Sequence, residues 1–90
     1  GFLRAAAVAE ASGVQLSAHC SPHAHAHAAA ARGAAVRHLE WFHDHVRVES
    51  LLFDGVLDPA GGTVTPGADG APGHGLTLVE GRAAPYQVDA

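Results

Sequence analysis

Lysine, isoleucine, methionine and asparagine are all absent from this sequence, and cysteine occurs once. Five arginines against nine acidic residues leave a formal net charge of −4. That balance argues against a nucleic-acid partner, because phosphate contacts need clustered Lys and Arg. A lone cysteine, Cys20, cannot make an internal disulfide, which fits a reducing compartment and leads us to expect a cytoplasmic protein. No apolar run is long enough to cross a bilayer, so no membrane role is expected. No positively charged, apolar leader pattern precedes the first helical pattern, so no secretory signal is expected either. The missing residue types share AT-rich codons, so their absence reports a GC-rich genome and not a function. Aromatic residues make up only 6% of the chain, while Ala and Gly are abundant. A sizeable self-contained core is hard to build from such material, and 90 residues are expected to be one small domain or a piece of a larger one.

What is present is ordered punctuation. Residues 2 to 12, FLRAAAVAEAS, carry a broad apolar stripe in strong helix formers, and Gly13 follows as a stop. VQLSAHC, from Val14 to Cys20, alternates as a strand does. Ser21-Pro22 reads as N-cap and first helical position of a second helix running to Ala31, ended by Gly33. VRHLEWF, Val36 to Phe42, is a second strand pattern. Helix, strand, helix, strand with a helical spacer predicts an α/β fold with parallel neighbouring strands. The second half is different. His43 to Glu49 is polar and charged, SLLFDG closes on a turn signal at Asp54-Gly55, and DPAGG and PGADGAPGHG are loop compositions. Gly62 to Thr65 and Leu76 to Glu80 read as short strands, giving an irregular tail with a small antiparallel pair. Trp41 and Leu51 to Phe53 are expected in the core, and Asp44, Arg47 and Glu49 in a solvated or tail-docking network.

Three of the eight histidines sit in HAHAH, from His23 to His27. On a helix His23 and His27 share a face and His25 points away. An i, i+4 pair can bind zinc, but it needs a third ligand and usually a neighbouring acid. No acidic residue lies between Glu10 and Glu40. The tract therefore reads first as a polar or partly buried helix face. A small His-rich transition-metal module, using His23, His27 and His19 or Cys20, is the alternative from a different class.

Strand alternation puts Ser17 and His19 on one face of the first strand and His38 and Glu40 on one face of the second. Parallel strands bury their apolar side under helices, leaving these polar groups on a common opposite face. Near the C-terminal ends of barrel strands, such groups are positioned as catalytic acids and bases. The competing reading is a His and a Glu on the wet face of an ordinary sheet.

SAHCSPHAHAHAAAA, RHLEWFHDHVRVESLLFDG and PGHGLTL together resemble the C-terminal part of enolase-superfamily proteins of the mandelate racemase/muconate lactonizing enzyme type. The resemblance implies the last two strands and helices of a (β/α)7β barrel over residues 1–57, and over 58–90 a tail returning to an N-terminal capping domain. It implies that His19, ending the seventh strand, abstracts or returns the proton α to a carboxylate. Glu40, at the end of the eighth, would hydrogen-bond the substrate carboxylate as an ene-diolate develops, for which it must be protonated. Phe42 and, more weakly, His43 would line the substrate pocket. The family's Mg2+ is held by three acids on earlier strands, so no metal ligand is expected in this chain and the 90 residues are not expected to be active alone. The implied substrate is a small carboxylate, an acid sugar or a 2-hydroxy acid. The implied reaction is dehydration or racemisation, by a full-length protein that is a homo-oligomer. An inactive homologue kept as an interaction domain is the third reading.

Overall fold

The computed structural model describes residues 1–89. Helix α1 spans Phe2–Ala11, strand β1 Leu16–Ala18, helix α2 Pro22–Ala30 and strand β2 Val36–Leu39. Helix α3 covers His43–Leu52, strand β3 Phe53–Asp54, strand β4 Thr77–Leu78 and helix α4 Glu80–Ala83. Short 3-10 turns at Gly33–Ala35, Ala60–Gly62 and Ala84–Tyr86 complete the chain. β1 and β2 pair in parallel, with Ser17 opposite His38 and Ala18 opposite Leu39. Helix α2, between them, is the crossover that parallel pairing demands. β3 and β4 form a separate antiparallel pair, Phe53 opposite Leu78 and Asp54 opposite Thr77.

The core is small and made of small side chains. Ala6, Ala18, Ala26 and Ala35 are buried, together with Pro22 and His23. The alanine tract thus lets helix, strand and turn backbones approach closely. Trp41, Leu52 and Phe53 are only partly buried, and Leu51 is exposed, so the expected large-residue core does not form within residues 1–89.

Several expected boundaries shift. Both strands are shorter than the alternation suggested: β1 ends at Ala18, ahead of the left-handed Cys20 and Ser21 with φ of 56° and 42°, and β2 ends at Leu39. Ser21 precedes α2 but its hydroxyl caps nothing. Its left-handed backbone turns its N–H to His45 Nδ1 at 3.3 Å instead. The polar segment after Phe42 is helical, and Gly62 to Thr65 is not a strand. The partner of β4 is Phe53–Asp54 because the turn at Gly55 folds directly onto Gly75. A Cβ at Gly55, whose φ is +85°, would lie 2.0 Å from the Gly75 carbonyl oxygen, so only glycine fits.

Candidate active site

The two parallel strands end side by side, and the ladder continues one bond further: Glu40 N–H donates to the Ala18 carbonyl at 3.0 Å. That bond brings the residue after β1 beside the residue after β2. His19 Nδ1 and Glu40 Oε2 are 2.7 Å apart. The same Glu40 oxygen accepts the Cys20 backbone N–H at 2.8 Å. His19 Nε2 lies 3.2 Å from Cys20 Sγ. One strand step earlier, Ser17 Oγ and His38 Nδ1 are 3.3 Å apart. Ser17, Ala18, His19, His38, Leu39 and Glu40 line an open cleft of about 260 Å3. The alternation therefore places the polar groups on one face, and the ladder register brings them into pairs.

The electrostatics follow from these contacts. The Cys20 N–H holds the Glu40 carboxyl below its ordinary range, outweighing an opposing penalty from desolvation, and His19 adds a lesser lowering. These contacts favour the charged form of Glu40, whereas the hydrogen-bond donor role expected of it needs the protonated form. The physical reason is that Oε2 faces two N–H donors and no second negative charge. Burial, then the Glu40 charge, push the Cys20 thiol up, so Cys20 carries its proton. With Nδ1–H donating to Glu40, the lone pair of neutral His19 sits on Nε2, where the thiol can donate to it. A carboxylate that fixes the tautomer and steadies the imidazolium is the usual companion of a histidine base.

The turn carrying this pair is braced from α2. The Cys20 carbonyl accepts from His25 Nδ1 at 2.7 Å, and the His25 ring packs against Phe2 with centroids 5.3 Å apart. The central histidine of HAHAH thus supports the site from behind, a role the spacing alone did not reveal. His23 is taken up differently. Its Nε2 accepts the Leu57 N–H at 2.9 Å, its Nδ1 pairs with Glu49, and its ring lies against Trp41. With both ring nitrogens engaged and 1% of the residue exposed, His23 is not free to be a metal ligand. Glu49, expected in a solvated or tail-docking network, is the hydrogen-bond partner of Nδ1 on this buried imidazole. His27 half-faces the loops around Gly55 and Gly75. Phe42 is exposed and packs edge-on against His45, and His43 starts α3 in solvent. Neither touches the His19–Glu40 pair by a hydrogen bond.

A magnesium ion does not fit the residues present. Mg2+ asks for an octahedron of oxygens. Here a single carboxylate, already bonded to two donors, stands beside an imidazole and a thiol.

The profile of the enolase C-terminal domain-like family matches residues 1–82. The chain belongs to that family. It is also similar to the crystal structure of a mandelate racemase/muconate lactonizing enzyme-like protein from Rubrobacter xylanophilus, at 46% identity and a TM-score of 0.89. The match covers 97% of this chain and 24% of that one, so this enolase-type chain spans about a quarter of its relative's length. No curated protein gives a significant match.

Proposed function

We propose that this chain supplies part of the active site of an enolase-type enzyme that removes the proton α to a carboxylate. The observation that carries the reading is the His19–Glu40 pair at the ends of adjacent parallel strands, at 2.7 Å, in a chain of this family. In this reading β1 and β2 are the last two strands of a (β/α)7β barrel, and residues 58–90 are the tail. Mg2+, as the family resemblance implies, would be held by residues outside this chain.

His19 Nε2 is the proton acceptor. Glu40 accepts the Nδ1–H, so protonation at Nε2 creates an imidazolium directly against a carboxylate, which stabilises it. The Cys20 thiol must rotate away from Nε2 as substrate enters. Ser17 and His38, one step deeper in the cleft, provide hydrogen-bonding groups for a polyhydroxy acid. A substrate bearing a β-hydroxyl could take the proton back on that oxygen from the same imidazolium, giving dehydration and a keto acid. An acid-sugar dehydratase is the favoured outcome. Racemisation would need a second base on the opposite face of the substrate, from outside this chain.

The test is a panel of acid sugars and 2-hydroxy acids offered, with Mg2+, to the intact protein containing this chain. Keto-acid formation or α-deuterium incorporation from heavy water is expected for at least one of them. A complete absence of both across the panel would count against the reading.

A further inference from the structure

We propose that His19, Cys20 and Glu40 form a binding site for a thiophilic divalent cation of the Zn2+ class, and that its occupancy blocks proton transfer at His19. The second half of this proposal rests on the function proposed above; the first half does not.

The first observation is proximity. One ligand atom from each of the three residues can be chosen so that all lie within 4.8 Å of one another. The second is how the chain achieves it. Consecutive residues of a strand point to opposite faces. At Cys20 the backbone takes φ of 56°, uncommon for a side chain of this kind, and the thiol folds back to 3.2 Å from the neighbouring imidazole. Bond lengths of about 2.3 Å to sulfur and about 2.0–2.2 Å to nitrogen and oxygen give tetrahedral edges of about 3.3–3.6 Å. The sulfur–nitrogen edge is already close to that span. That edge is to Nε2, whereas Glu40 Oε2 bonds the other ring nitrogen, Nδ1, so the carboxylate must leave that bond and swing toward the Nε2 side; both side chains are accessible enough to move, His19 at 82% and Glu40 at 40% exposed.

The third observation is donor chemistry. One sulfur, one nitrogen and one oxygen, with a fourth position open to the cleft, is a zinc-type set and a poor magnesium set. The thiol is otherwise unused by the proton-transfer reading. On binding, the S–H bond breaks, the proton leaves to solvent and a sulfur–metal bond forms, with Glu40 supplying further negative charge. Affinity therefore rises with pH. The metal also takes an imidazole lone pair, so a metallated His19 has no free role as the base.

Titration of the intact protein with Co2+, under a phosphine reductant that does not bind the metal, tests the site. One equivalent is expected to produce a thiolate-to-cobalt charge-transfer band, displaced by Zn2+ and untouched by Mg2+. Cys20→Gly accepts the left-handed backbone and removes the sulfur. It should lose the band and weaken Zn2+ binding by more than about tenfold, since even outer partners of a metal typically matter that much. Glu40→Gln should weaken Zn2+ binding while keeping the band. No band in the parent protein, or a band that survives in Cys20→Gly, would overturn the site. The band with no α-proton exchange in any condition would leave the metal site standing and remove the catalytic reading. Exchange that persists at saturating Zn2+, with the band present, would overturn the blocking role.

Discussion

At the scale of single residues, Glu40 has the most to explain. Its Oε2 accepts one backbone N–H and faces one imidazole, and both favour the charged form. Its carboxyl is therefore expected to titrate below the ordinary Glu value of 4.5. The sign follows: a depressed folded-state value gives an interaction fully present above the unfolded value and lost as pH falls through the folded one. Carbon-detected NMR of the Glu40 carboxyl should give a midpoint under 4.5. A midpoint above it would mean that the Cys20 N–H bond is not formed. The pairing of His19 with Glu40 was partly legible in the sequence, because alternation puts both on one face. The backbone donor that Glu40 meets was not, because the Cys20 N–H comes from a residue that turns left-handed beyond the strand.

At the scale of elements, α2 is the hub. Its three histidines do three jobs: His23 joins α2 to α3 and to the segment after β3, His25 braces the Cys20 turn, and His27 faces the tail loops. Replacing His23 with Ala strands the Leu57 N–H and the Glu49 carboxylate. We expect a loss of about 1–3 kcal/mol in urea unfolding of the intact protein containing this chain, the usual cost of orphaned buried polar groups. Replacing His25 with Ala should leave stability closer to the parent. It should instead broaden the amide resonances of Cys20 and Ser21 as the turn loosens. The β3–β4 pair gives a second steric test. Gly55→Ala and Gly61→Ala both place a side chain at positive φ, but only the former meets an obstacle. Gly55→Ala should cost more than the roughly 1 kcal/mol expected of a backbone penalty alone. Equal losses in the two variants would contradict the close approach to Gly75.

The first helix, first strand and second helix were readable because Gly13, Ser-Pro and Gly33 mark their limits and apolar spacing marks their faces. Helix α3 was not, because its apolar residues are sparse and its role is to bring Glu49 to His23. The two-residue bridge of β3 with β4 has no periodicity to read, so Gly62 to Thr65 seemed the better strand. What decided otherwise is a backbone contact between two glycines.

At the scale of the whole molecule, the surface is too large for the mass. The chain exposes 6190 Å2, where a folded monomer of 9.1 kDa exposes about 4,900 Å2. Its radius of gyration is 14.8 Å, against about 12 Å for a compact domain of this length. Leu3, Val8, Val14 and Leu78 are each at least half exposed. Two-stranded sheets with open edges are marginal in water. In the barrel proposed above, further strands would cover part of this surplus. Expressed as these 90 residues, the chain should bind a hydrophobic dye and unfold without a sharp cooperative transition. A cooperative, monomeric, dye-silent protein would count against the barrel reading. The small alanine-rich core was foreshadowed by composition, since so few large apolar residues cannot close a core unaided.

The most direct measurement of the central claim is solvent deuterium exchange at the α-carbon of a bound carboxylate, comparing the intact protein with its His19→Asn variant. Exchange in the parent and none in the variant, with the folded-state spectrum unchanged, is the expected result. Undiminished exchange in His19→Asn would show that the proton passes through some other group.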